Sequence, residues 1–442
     1  MLVTFKNTGM IEKADIRLDG LTVIAGENNT GKSTVGKMMY SIIKTFNRYE
    51  KDARLFQVSQ IKNTIDNLYY NFKKEYNGAP GLIDMKEFFA GLENEALALL
   101  EKSLAKKEIE SILAEKIKSF TEIIKSVSGK EPNLGDLPGR IANIIHKTSP
   151  KETIYKDSFG KYMKSVLSGE VSNKFSKDPA YSITGTDGDN KIFEISSRNG
   201  NLNINVEDRF YFADATFIES PVILNLVDSL RFSMTEFDGN GEIKKQVELL
   251  EKAYAPEYMK DLILKLTKRN TRGEKAKIVE EIQGIIDGYF YYDPEERDFV
   301  FEAGNQTFKG VAIASGIKYL GIVSILFLAG FLGKKTLLII DEPETHMHPQ
   351  WQLDFAEVLV KLVKEGSHIL LTSHSPYLIE ALKLFSDDIL GKNQADFYWS
   401  KKEKNAFVSC FYHVTNDLSP VYNTLAEPFR KLDRIKAKKL FS

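Results

Sequence analysis

The stretch AGENNTGKST, residues 25–34, follows the apolar run Leu21, Thr22, Val23, Ile24, and its reading decides the fold. Gly26, four residues, Gly31, Lys32 and Ser33 have the spacing of a phosphate-binding loop, in which glycines let backbone N–H groups curl round a polyphosphate. In that pattern the lysine reaches the β and γ phosphates and the hydroxyl beside it ligates Mg²⁺. A strand ends at Ala25 and residues 34–43 carry a helical pattern, so the positive end of a helix faces the anion. The spacing predicts that Gly26, Asn28, Asn29, Thr30, Gly31, Lys32, Ser33 and Thr34 surround ATP, with Ser33 on Mg²⁺.

Upstream of the loop, LVTFKN, KADIRL and LTVIAG are short strand-like runs separated by the turn signals Thr8-Gly9 and Asp19-Gly20. They predict an N-terminal β-meander that feeds the loop and forms the first part of the core, residues 1–46. Residues 47–180 are dominated by helical periodicity and are expected to form a helical insertion. Strands return over 181–235, where DATFIESP ends a buried strand at Glu219-Ser220-Pro221. A second, Lys-rich helical insertion is expected over 236–288, and 289–442 completes the core. From residue 335 the pattern alternates cleanly: strand TLLII, a helix over 350–364, strand HILLT, and a helix beginning near Pro376. Such alternation argues a parallel sheet with crossover helices, so the class is α/β.

Composition bounds the function. With 43% hydrophobic and 27% charged residues the chain can bury a large core, and a net charge of −1 gives no global field toward nucleic acid or membrane. The lone Cys410 excludes an internal disulfide and suits a reducing cytoplasm, where it reads as a small buried strand residue. The N-terminus lacks a signal peptide's basic start and apolar core. The apolar run 319–332 is too short to span a bilayer and predicts a buried helix, with no membrane association.

Three further clusters complete the picture. TLLIIDEPETHMHP ends a strand in Asp341 and Glu342; an acid at the end of a strand beside a phosphate loop suits Mg²⁺ coordination, which falls to Asp341. Glu342 then sits nearer the γ phosphate, placed to orient or deprotonate water. ILLTSHSPYL puts His374 just after the next strand, where it can donate to a γ phosphate. VAIASGIKYLG places Ser315 and Gly316 at a helix start, a further anion-binding terminus. The pair His346 and His348 is better read as structural than as a metal site.

Together these pieces resemble P-loop NTPases of the ABC-ATPase type, those of the SMC and recombination-repair class, and most closely the OLD-like (overcoming lysogenization defect) ATPases of phage defence. The resemblance implies that Lys32 and Ser33 are Walker A residues, Asp341 and Glu342 the Walker B pair, His374 the switch histidine, and Ser315 with Gly316 the signature. It makes Glu342, His374 and Lys32 the catalytic set, and Glu219 the substitute for a Q-loop glutamine that is not identifiable. Residues after Glu342 resemble the D-loop. A transporter signature would carry further glycines and a glutamine, and the roughly 68 residues after His374 leave no room for the Toprim nuclease domain of OLD proteins. The family implies a head-to-tail homodimer holding two ATPs and, lacking that nuclease, a separate effector such as a nuclease or toxin. A self-sufficient nuclease and a transporter subunit are the alternatives. Residues 260–277 and 430–439 are basic enough to touch phosphates, yet Lys-rich helices are as often solvated faces, so nucleic-acid contact stays open.

Overall fold

The computed structural model describes the chain apart from residues 76–81, 103, 130–131, 133, 147–149, 177, 228–254, 269–270, 272, 404–406 and 441–442. Two compact units are present, one of residues 1–47 with 159–442 and one of residues 48–158.

The first unit is built on one eleven-stranded sheet among the described residues. Its strands are β1 (Leu2–Thr8), β2 (Ile11–Arg17), β3 (Leu21–Gly26), β4 (Tyr181–Asp187), β5 (Asn190–Arg198), β6 (Asn201–Val206) and β7 (Asp214–Ile218), then, later in the chain, four more. Between these groups β8 (Tyr289–Asp293), β9 (Asp298–Ala303) and β10 (Gln306–Lys309) form a separate three-stranded antiparallel sheet. The late strands of the main sheet are β11 (Thr336–Asp341), β12 (His368–Ser373), β13 (Ala395–Lys402) and β14 (Ser409–His413). The order is β6-β5-β4-β1-β2-β14-β13-β3-β12-β11-β7.

The run from β13 to β7 is parallel, and the flank from β6 to β2 is antiparallel. Sequence composition follows that division. β3 and β12 are buried almost end to end, as parallel strands covered on both faces require, whereas β1 and β2 mix buried and exposed positions.

Helices of this unit take their places from apolar periodicity and caps. α1 (Lys32–Asn47) starts inside the phosphate-loop motif and packs on β7, β11 and β12. The second unit holds α2 (Tyr49–Glu75), α3 (Leu82–Leu100), α4 (Lys106–Ser128), α5 (Leu137–His146) and the start of α6 (Lys151–Leu167). Its core gathers Ile61, Phe72, Phe89, Leu92, Leu113, Phe120 and Ile141, with Phe88 stacked on Phe120 at 3.7 Å between ring centroids.

Of the insertion expected at 236–288, residues 236–254, 269–270 and 272 lie outside the described residues; the described part contains α7 (Glu257–Thr267) and α8 (Lys277–Ile286). The apolar run expected to be a buried helix is α9 (Ser315–Leu328), whose residues from Tyr319 to Leu326 are all buried. Then come α10 (Pro349–Lys364), α11 (Pro376–Ile389), α12 (Ser419–Leu425) and α13 (Glu427–Leu440). No helix among the described residues is long and apolar enough to cross a membrane. Cys410 lies half-buried in β14 rather than deep in the core, because strand alternation turns its neighbours Ser409 and Phe411 inward and puts Cys410 on the opposite face with exposed Tyr412.

Candidate nucleotide site at the end of the parallel strands

The loop from Gly26 to Lys32 leaves β3 at its carboxyl end, where open α/β sheets form ligand crevices. Two glycines are required by geometry. Gly26 has φ +155°, and a Cβ there would stand 2.3 Å from Ser400 Oγ and 2.4 Å from the Ser400 carbonyl oxygen. Gly31 has φ +83°, with its Cβ position 2.9 Å from Ile11. Asn29, at φ +63°, uses the tolerance of asparagine for the left-handed region. Glu27, Asn28 and Asn29 form the exposed crest, while Thr30 turns inward and donates to or accepts from Ser400 Oγ at 2.7 Å. Ser33 and Thr34 fall in the first turn of α1, whose unpaired N–H groups face the loop.

Lys32 is 3% exposed, and its ammonium is held by three oxygens: Gly26 O at 3.1 Å, Glu27 O at 2.8 Å and Glu342 Oε1 at 3.1 Å. Glu342 follows β11 with φ +45° and ψ +55°, a left-handed conformation that is costly for a side chain beyond glycine, by about 1 kcal/mol. Its N–H donates to Thr372 O at 3.1 Å, which fixes that conformation against β12. His374 Nδ1 lies 3.6 Å from Glu342 Oε2. Interaction with that histidine, and then the Lys32 charge, hold the Glu342 carboxyl down to about 2 against the opposing effect of burial. Reciprocally, Glu342 raises the His374 pKa, with the charge of Glu344 adding to it.

Asp341, 8% exposed, accepts from Thr372 Oγ1 at 2.6 Å, and the Ser33 hydroxyl beside it also favours the charged carboxylate. Burial raises its pKa despite those two donors. A desolvated carboxylate beside a helix-terminal hydroxyl is a donor pair of the hard-oxygen type that Mg²⁺ takes, so the residues fit that ion.

The other predicted residues lie in different surroundings. Glu219, just past β7, is engaged by Lys37 at 2.8 Å and by the Tyr258 hydroxyl. Ser315 opens α9, and Gly316 is packed so tightly that a Cβ would stand 2.3 Å from Trp351. No hydrogen bond or ion pair among the described residues joins Ser315 or Gly316 to the loop, to Asp341 or to Glu342. His348 caps α10, its Nδ1 accepting from Gln350 N at 3.3 Å, and no described group of three His, Cys, Asp or Glu could hold a metal.

Sequence reading missed Ser400 and Thr372. Ser400 reaches the loop only because β13 pairs with β3, matching Ser400 to Gly26. Thr372 is opposite Asp341 in the β11–β12 register. Nothing local marks Ser400; the apolar run ending in Thr-Ser-His was the available signal for Thr372.

A parallel sheet, a glycine loop running into a helix and an acidic pair on the next strand but one define a P-loop α/β nucleotide-binding protein. The model of the AAA ATPase domain matches residues 1–379, and the chain belongs to that family. A local match is 36% identical over 63 residues to Septu protein PtuA of Bacillus thuringiensis; it covers 14% of this chain and 16% of that protein. Among solved structures, the SMC head domain from Thermotoga maritima aligns over 93% of this chain and 98% of its own, with 9% identity and a TM-score of 0.38. The Smc head domain bound to the C-terminal domain of ScpA from Pyrococcus furiosus covers 98% of each chain, with 11% identity and the same TM-score.

Proposed function

We propose that this chain is an ATP-hydrolysing, ATP-driven dimeric switch, the sensor or scaffold subunit of an OLD-like phage-defence or DNA-repair-like system that controls a separate effector. The observation that carries the reading is the convergence of Lys32, Glu342, His374, Ser33 and Asp341 at the end of three adjacent strands. Glycine N–H groups and Lys32 bind the phosphates, Ser33 and Asp341 would hold Mg²⁺, and Glu342 takes a proton from water. Mg²⁺, when bound, supplies charge neutralisation on the phosphate oxygens. His374 steadies the γ phosphate, and Glu219 senses it from the neighbouring strand.

Ser315 and Gly316 supply the reason for a dimer. Among the described residues their helix terminus makes no hydrogen bond or ion pair with its own loop, so in this reading it serves the nucleotide of a second copy. Binding then closes the pair and hydrolysis releases it. Light scattering of purified protein with and without ATP tests this. The expected result is a doubling of mass with Mg²⁺ and ATP in a Glu342→Gln preparation; a mass that ignores ATP overturns it.

A further inference from the structure

Glu344 has no part in the nucleotide chemistry above, yet it is 7% exposed and sits in the turn directly after Glu342. Burying a carboxylate without compensation is costly, so such a placement calls for an account. Its Oε1 accepts from Ser373 Oγ at 2.7 Å, from His374 N at 2.6 Å and from Ser375 N at 3.1 Å. Three donors from consecutive residues converge on one oxygen. The other, Oε2, is buried with no hydrogen-bond partner. The His374 ring stands beside the same carboxylate: its Nδ1 lies 3.2 Å from Glu344 Oε1 and, like Oε2, is buried with no hydrogen-bond partner.

We propose that Glu344 is the positioning residue of His374, clamping the backbone of 373–375 and taking the ring's Nδ1–H, so that Nε2 is the nitrogen left for the ligand. A histidine between a buried carboxylate and its target is fixed in tautomer and orientation by that carboxylate. Glu344 is not placed to act as the base, because both of its oxygens are shielded from water. The inference rests on the proposed phosphate role of His374 only for its kinetic consequence.

The test uses the full chain labelled with ¹⁵N-histidine, with His374→Ala identifying the resonances. Wild type should show a protonated Nδ1 and an acceptor or separately protonated Nε2. Glu344→Gln, which can still accept the backbone N–H groups, should lose that preference, while Glu342→Gln, which removes the charge that raises the ring's pKa, should keep the proton of the neutral ring on Nδ1. Turnover in Glu344→Gln should fall about tenfold or more at little-changed KM, with Glu344→Asp recovering part of it, and His374→Ala with Glu344→Gln should be no slower than His374→Ala alone. An unchanged ring signature in Glu344→Gln, or losses that multiply in the double variant, overturns the proposal. Wild-type turnover in His374→Ala would instead sink the phosphate role of His374, leaving the ring signature to decide on Glu344. If Glu344→Gln fails to fold, the signature in Glu344→Asp decides: a shift supports the clamp, and identity with wild type contradicts it.

Discussion

Glu342→Gln should tighten ATP binding while slowing its hydrolysis, an outcome that a purely catalytic glutamate would not give. The Glu342 carboxylate lies 3.1 Å from the Lys32 ammonium, so it competes for the cation that the proposed function gives to the phosphates. Two unit charges at that distance attract by about 5 kcal/mol at an effective dielectric near 20 and by about 1 kcal/mol in bulk water. Lys32 is buried and the Glu342 side chain is 26% exposed, and both carry desolvation costs, so the net value belongs near the lower figure. Releasing about 1 kcal/mol raises ATP affinity roughly fivefold. The same change removes the proposed proton acceptor, worth about 10² to 10⁴ in rate. Calorimetry of ATP binding with Mg²⁺, paired with single-turnover hydrolysis, reads both. Weaker or unchanged affinity would refute the competition between Glu342 and phosphate, and an unchanged rate would move the base elsewhere.

Lys32→Ala should abolish nucleotide binding in the same calorimetric assay, since among the described residues no other side-chain cation hydrogen-bonds to the loop; wild-type affinity would sink the loop assignment. Lys265→Met should lower the melting temperature by about 5 °C, reflecting about 3 kcal/mol lost when one member of a buried ion cluster is removed. Lys265 there meets Asp214 at 2.7 Å and Asp261 at 2.9 Å, and Lys44 meets the same two aspartates from α1. Acid unfolding should expose Glu342: its pKa is lowered on folding, so its stabilisation is complete above the ordinary carboxylate range and is lost as pH falls toward 2. The difference in melting temperature between wild type and Glu342→Gln should therefore shrink from pH 5 to pH 2.5, and a constant difference would deny the shift. His374 has the opposite sign: its raised pKa gives stability that is full below pH 6.5 and fades above it, so His374→Gln should cost less at pH 9 than at pH 6 in the same melts.

The phosphate loop, the acidic pair and the alternating strands were legible because each is a local pattern whose physical demand falls on neighbouring residues. Gly26 and Gly31 announce positive φ, and LLII and HILLT announce strands covered on both faces. What was not legible depends on distant pairing. The C-terminal strands β13 and β14 lie between β2 and β3, in the middle of the sheet, and only that topology sets Ser400 against Gly26. Lys44, Asp214, Asp261 and Lys265 are ordinary charges in sequence and become one cluster when α1, β7 and α7 meet. The burial of Glu344 was not legible either, because burial is a tertiary property that spacing does not encode.

The shared nucleotide site is the central claim, and mixing two dead variants tests it most directly. Ser315→Arg puts a bulky cation where the opposite γ phosphate would lie, and Lys32→Ala empties the loop, so neither protein alone should hydrolyse ATP. A dimer with one copy of each keeps one intact site, formed by the loop of the first variant with Ser315 of the second. In an equal mixture that assorts freely, roughly a quarter of the wild-type sites are restored. Hydrolysis rising from zero toward that fraction as the second protein is titrated in is the predicted result. No recovery at any ratio, with mixed dimers confirmed by mass, would contradict it.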